Sequence, residues 1–342
     1  MPMLAPILSR RRVLKAGATA ALGYGLPRAL LAARMQSSFR VAVISDEISP
    51  DFDHACSVIA NDFGLNWVEL RGLWGKNISK LDDADVLRAN TILDKYKLRV
   101  TDIASPLFKT DWPGAPRSKY SAKNDSFGAD ANFKEQDDVL EKSIALAKQF
   151  KTERIRCFDF WRLDDPAPYR DAINTKLLEA ANIAGRQGLL LVLENEFECN
   201  TATGRESAQT LAQVQSPHLM LNWDPGNAVA RGELDAFPAG WDALPKNRIG
   251  HCHVKCANSK AGGGFEWAAV GKGQPDWTAQ FQALKKSGYR AAVSLETHWT
   301  GGGTPEASSR ISWAGMKDAL EKSGTAQPSE VKGEWPKIDI QG

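Results

Sequence analysis

The chain has 342 residues, 43% of them hydrophobic and 25% charged, with a formal net charge of +2. Plentiful apolar residues with balanced charge exclude a disordered chain, and near-neutrality argues against a nucleic-acid partner. The length holds one large domain or two of about 150 residues; five cysteines are no disulfide framework, and no apolar run long enough to span a membrane follows residue 40.

No Asp or Glu precedes Asp46, yet the first 33 residues hold Arg10, Arg11, Arg12, Lys15 and Arg28. The run from Ser9 to Lys15, Ser-Arg-Arg-Arg-Val-Leu-Lys, resembles the twin-arginine export signal, with Val13 where that pattern prefers Phe. A small, weakly apolar stretch follows and ends at Ala33. Residues 1–33 are therefore expected to be a signal peptide, read by the twin-arginine export machinery and leading to the periplasm. The competing reading is a basic, frayed N-terminal helix. That route carries folded proteins, so a metal could be loaded before export. Cleavage would leave a mildly acidic body.

From residue 40, short β-branched runs alternate with amphipathic ones. Strands are predicted over 40–45, 67–71, 99–104, 154–158, 189–194, 219–224, 249–254 and 291–296. Helices are predicted over 53–63, 84–96, 135–150, 171–187, 205–215 and 275–287. Gly64, Gly188 and Gly288 each fall between a helix and the next strand, where a left-handed cap is expected. Alternation implies a parallel sheet, and eight units over 40–323 fit a (β/α)8 TIM barrel better than an open doubly wound sheet. The first strand runs into Ser45-Asp-Glu-Ile-Ser49, without the glycines of a dinucleotide-binding turn. Residues 105–133 are polar and carry Pro106, Pro113, Gly114, Pro116 and Gly128, a candidate lid or a plain surface loop. The tail, 324–342, is expected on the outside.

A barrel of this kind builds its site at the C-terminal strand ends. Strand five ends in Glu194-Asn-Glu196, and strand six in Asp224-Pro-Gly-Asn227. Strand seven carries His251-Cys-His253-Val-Lys255, and strand eight ends in Glu296-Thr-His298. The period of two lets Glu194, Asp224, His253 and Glu296 all point inward. Three carboxylates converging with one imidazole would repel one another without a cation. Such a hard set suits one divalent ion, Mn2+ being favoured with Mg2+, Co2+ and Zn2+ open.

With these motifs in order, residues 40–320 resemble the xylose isomerase-like barrel superfamily. That superfamily includes sugar phosphate isomerases and epimerases, ketose 3-epimerases, hydroxypyruvate isomerase, inosose dehydratase and AP endonuclease 2-type barrels. Leu193-Glu194-Asn195 is similar to its Leu-Glu-Asn end of strand five. Asp224-Pro-Gly-Asn227 resembles its Asp-x-Gly-His/Asn element, and His253-Val-Lys255 its His-x-Lys-Asp element. Gly271-Lys-Gly273-Gln-Pro-Asp276 looks like its Gly-x-Gly-x-x-Asp turn. The resemblance implies Glu194, Asp224, His253 and Glu296 as metal ligands. Cys256 stands where the family often has Asp, and Asn227 where ketose epimerases often have His, so their activity does not transfer directly.

The chemistry fits. An ion chelated by a carbonyl and its neighbouring hydroxyl acidifies the adjacent C–H through an enediolate. Glu194 and Glu296, the candidate catalytic carboxylates, could remove and return that proton from either face. Candidate substrate-binding residues are Glu69, Glu196, Asn227, His251, Lys255 and Trp112. His251 lies one step deeper and could instead support the ligands, and Glu69 could pair with Arg71. Trp74, Trp161, Trp223, Trp267 and Trp299 also fall near loops, where they could stack on a sugar or anchor the loop. Gly262–Gly264 and Gly301–Gly303 read as flexible loops, not phosphate cradles. Cys252 and Cys256 face away from His253. The expected function is an exported, metal-dependent sugar or keto-sugar isomerase or epimerase. A small carbohydrate is its partner, nucleic acid is not, and a homo-oligomer is left open. A lyase or dehydratase on an oxidised sugar or glycoside is the nearest alternative. A phosphodiester hydrolase would need more than the five histidines present. A binding barrel that has lost catalysis would not need the four ligands.

Overall fold

A computed structural model describes residues 35–121 and 132–327. The signal-peptide reading, residues 122–131 of the proposed lid and the tail beyond residue 327 lie outside them. Eight parallel strands form the core: β1 Arg40–Val43, β2 Trp67–Leu70, β3 Arg99–Leu107, β4 Arg154–Cys157, β5 Leu190–Glu194, β6 Leu219–Trp223, β7 Ile249–Val254 and β8 Ala292–Leu295. Each hydrogen-bonds to its sequence neighbour from β2 round to β8, and β8 pairs with β1. A single parallel bridge, Ile44 to Glu69, joins β1 to β2. The result is a nearly closed (β/α)8 TIM barrel, as the alternation predicts.

The helices follow the strands in turn: α1 Phe52–Ser57, α2 Asp83–Tyr96, α3 Gln136–Gln149, α4 Arg170–Arg186, α5 Gly204–Gln213, α6 Pro225–Ala230, α7 Trp277–Lys286 and α8 Pro305–Lys322. Local chemistry sets their ends. Asp82 with Asp85, and Thr203 with Glu206, make capping boxes at the starts of α2 and α5. Gly64, Gly188 and Gly288 take φ of 69°, 75° and 83°, as their position after a helix requires. Lys97 and Lys151 adopt the same left-handed turn without glycine. Sequence periodicity misses α6, which is too short to show a helical period, and α8.

The hydrophobic core lies between strands and helices. It runs from Val41 and Val43 through Leu191, Leu193, Trp223 and Cys252 to Val293 and Leu295, against residues such as Phe52, Leu177, Phe281 and Met316. The opposite strand faces look into the barrel and carry its polar groups. Two hairpins lie beyond the strand ends: Gly72–Leu73 with Lys76–Asn77, and Cys256–Ser259 with Phe265–Ala268. Gly262, Gly263 and Gly264, all at positive φ, turn the second. Residues 324–327 join the fold, since Ser37 bridges Ala326 and Thr325 is buried. No helix among the described residues is long and apolar enough to cross a membrane.

Candidate metal centre

Strand ends β5 to β8 bring four side chains together. Glu194, Asp224, His253 and Glu296 can each offer one ligand atom, all within 4.8 Å of one another, and all four residues are buried. His253 Nδ1 stands 3.2 Å from Glu296 Oε2, 3.3 Å from Glu194 Oε1 and 3.8 Å from Asp224 Oδ2. Asp224 is also the cap of α6: its Oδ1 accepts from the Asn227 N–H at 2.8 Å. Its Oδ2 is buried and makes no hydrogen bond, although the Lys255 ammonium lies 2.9 Å away. Lys255 Nζ donates to Glu296 Oε2 at 2.6 Å. A buried carboxylate oxygen without a hydrogen bond, facing two further carboxylates and an imidazole nitrogen, is the donor set a divalent cation takes. The four residues thus form a possible metal-binding site.

The charges are strongly coupled. Burial alone would raise the Glu194 carboxyl, but His253 and Arg156 hold it down to about 2. Burial likewise opposes ionisation of Glu296, and Lys255, His298 and His253 bring it well below the usual range. Burial pushes Asp224 up to about 6 against the pull of Lys255, with Glu296 and Glu194 adding repulsion. Burial disfavours the His253 cation, yet Glu69, Glu194 and Glu296 raise it well above the ordinary imidazole value.

A layer beneath supports the histidine. His253 Nε2 lies 3.0 Å from Glu69 Oε1, and His251 Nε2 lies 3.0 Å from Glu69 Oε2. Glu69 is fully buried. Expected to meet a sugar hydroxyl or pair with Arg71, it instead contacts two imidazoles, because it lies below the four-residue cluster. His251 likewise faces Glu69 and not the mouth. Asn227 Nδ2 donates to Glu194 Oε1 at 3.1 Å, so this amide orients a carboxylate. Glu196 sits at the rim, 3.4 Å from Lys109 Nζ.

The tryptophans divide differently from expectation. Trp112 packs edge-on against Phe160 and Phe133, at 4.8 and 5.3 Å between ring centroids, and anchors its loop. Trp223 is buried on the outer strand face and donates to Gln280. Trp267, from the second hairpin, is the indole beside the cluster. Its ring lies 5.0 Å from Lys255 Nζ and 5.4 Å from the His298 ring. All five cysteines are buried and free; Cys252 lies on the outer face of β7, and Cys256 begins the second hairpin.

Sequence reasoning named Arg71 only as a partner for Glu69 and missed Arg156. Arg71 donates to Glu296, Asp46 and Glu47, and Arg156 to Glu194. The available signal was an arginine at an inward position of a barrel strand, where a charge needs a partner. It also missed Asp102 of β3, whose two carboxylate oxygens are buried without a hydrogen-bond partner. Burial pushes Asp102 up to about 6 from 3.8, with His251 opposing and Glu69 reinforcing. Between about pH 4 and 6 the folded chain keeps a proton that the unfolded chain releases, so stability falls as pH rises through that window. Asp102→Asn should therefore stabilise the fold by about 3 kcal/mol at pH 8 and hardly at all at pH 4. Urea unfolding at the two pH values checks this; an equal change at both would contradict it.

The family model for the xylose isomerase-like TIM barrel matches residues 58–319, and the chain belongs to that family. No curated protein sequence matches it. Among solved structures it is similar to the IolI protein with a bound zinc atom, at TM-score 0.64 and 14% identity, over 83% of this chain and 99% of that one. It is similar to D-psicose 3-epimerase in the presence of D-fructose, at TM-score 0.60 and 16% identity, over 84% and 100%. It is also similar to the probable 3-DHS dehydratase AsbF from Bacillus anthracis, at TM-score 0.58 and 19% identity, over 82% and 98%. At these identities the likeness is one of fold.

Proposed function

We propose that this member of the xylose isomerase-like TIM barrel family is a divalent-metal-dependent isomerase or epimerase of a sugar or keto-sugar, with Mn2+ its favoured ion. The observation that carries this reading is the convergence of Glu194, Asp224, His253 and Glu296 from four successive strands. When bound, the ion supplies a Lewis acid that polarises a carbonyl and acidifies the neighbouring C–H. Glu194 and Glu296 are the proposed acceptors and donors of that proton, entering from β5 and β8 on either side of His253. Glu69 holds the His253 ring so that Nδ1 faces the carboxylates. Lys255 is placed to hold a substrate oxygen beside Glu296, and Trp267 offers a flat face to the apolar side of a sugar.

The likeness to a probable dehydratase supports a second reading, a lyase on an oxidised sugar, which begins with the same proton removal. One experiment separates them. The protein, supplied with Mn2+, is incubated in deuterated water with a panel of sugars and 3-keto-sugars. Deuterium at the carbon next to the carbonyl, with an isomeric product, is the expected result. Exchange followed by loss of water or of an alcohol favours the lyase. No exchange with any member rejects both.

A further inference from the structure

Each of the three carboxylates divides its two oxygens between the scaffold and the open point of the site. For Asp224 its own helix cap makes the division. For the two glutamates, arginines from other strands make it. Arg156 of β4 donates from Nη1 to Glu194 Oε2 at 3.1 Å, leaving Oε1 toward His253 and the Asn227 amide. Arg71, which follows β2, donates from Nη1 to Glu296 Oε1 at 3.0 Å, leaving Oε2 toward His253 and Lys255. In both cases the oxygen facing the imidazole is the one the arginine does not hold.

Neither guanidinium can slide. Arg156 also donates from Nε to Ser105 O at 3.3 Å and from Nη2 to Ala104 O at 3.1 Å, both on β3. Arg71 also donates from Nε to Asp46 Oδ2 at 3.0 Å and from Nη2 to Glu47 Oε1 at 2.7 Å, just beyond β1. Both arginines are buried. A planar fork tied to three acceptors fixes direction as well as charge, which an ammonium cannot do.

We propose that Arg71 and Arg156 are positioning residues that each hold one glutamate oxygen away from the ligand point, so that Glu296 and Glu194 present a single oxygen apiece. This rests on reading the four-residue cluster as a metal centre. A carboxylate free to rotate can engage a divalent ion with both oxygens. It would then fill positions that a substrate carbonyl and hydroxyl require. The arginines keep those positions open.

Co2+ is the probe, because its visible absorption reports coordination number independently of turnover. It is added to chelator-stripped wild-type protein and to Arg156→Met, Arg156→Lys, Arg71→Met and Arg71→Lys. The methionine variants should lose roughly half or more of the visible band intensity as coordination number rises. The lysine variants should recover only part of it. Wild-type spectra in both methionine variants would overturn the proposal, and so would full recovery by lysine, which would leave charge alone as the cause. Arg71 also fastens β2 to the end of β1. If Arg71→Met fails to melt cooperatively, the Arg156 pair decides the question. A wild-type protein that takes up no Co2+ overturns the metal reading together with the proposal. Uptake with unchanged variant spectra overturns the positioning role alone.

Discussion

Glu296→Gln should lower turnover by about 100-fold to 10,000-fold while the barrel stays folded. Glutamine keeps the shape and one acceptor oxygen but cannot take up a proton, and it is a weaker ligand for a hard cation. The fold should survive because Arg71 keeps Asp46 and Glu47 as counter-charges. Glu194→Gln should lose as much activity but cost more stability. Among the described residues Arg156 hydrogen-bonds no other carboxylate, only the Ser105 and Ala104 carbonyls. Breaking a buried pair from one side typically costs about 3–5 kcal/mol. Steady-state rates on the sugar that exchanges, together with thermal melts of both variants, check the pair. Wild-type rates in both would remove the proton-transfer role from these residues.

Removing divalent metal with a chelator should abolish activity, and Mn2+ should restore it. Adding Mn2+ to the stripped protein at about 100 times its dissociation constant should stabilise the fold by about 2.7 kcal/mol. For a chain of this size that is a rise in melting temperature of about 4 °C. The cause is electrostatic: Glu194, Asp224 and Glu296 are crowded around one point, and Lys255 is the ammonium placed among them. The effect has a pH dependence. Asp224 holds its proton up to about 6, above its usual value. The ion must displace that proton, so affinity should weaken as pH falls through 6 and not only near 4. Melting curves with Mn2+, Mg2+, Co2+ and Zn2+ at pH 5 and 8 test this. No shift with any of the four would reject the metal centre.

Much of this was legible because local chemistry and barrel topology agree. Strands of period two with a carboxylate or imidazole at the end, separated by capped amphipathic helices, specify both a parallel barrel and the rim where its polar residues gather. Glu194, Asp224, His253 and Glu296 could be picked out as one converging set for that reason. The depth at which each lies, and the partners that support it, could not. Glu194 is registered opposite Asn222, and Asn222 opposite His251, yet Glu194 converges with Asp224 and His253, each two residues further on. His253 is registered opposite Ser294, yet meets Glu296. Tilted strands step upward around a barrel, so residues aligned by hydrogen bonding do not share a depth. That stagger puts Glu69 below the four-residue cluster and Arg71 level with it, although the two are two residues apart at the end of β2.

The sequence by itself therefore determined the class of fold, the four side chains and the end of the barrel that holds them, because those follow from period, capping and residue chemistry along one segment at a time. The tertiary structure decided which partner each charge takes: Arg71 to Glu296, Arg156 to Glu194, Glu69 to two histidines, and Trp267 instead of Trp112 beside the site. Those pairings depend on strand stagger and on how a hairpin or loop crosses the barrel mouth, and a buried charge settles on whichever partner that geometry brings within reach.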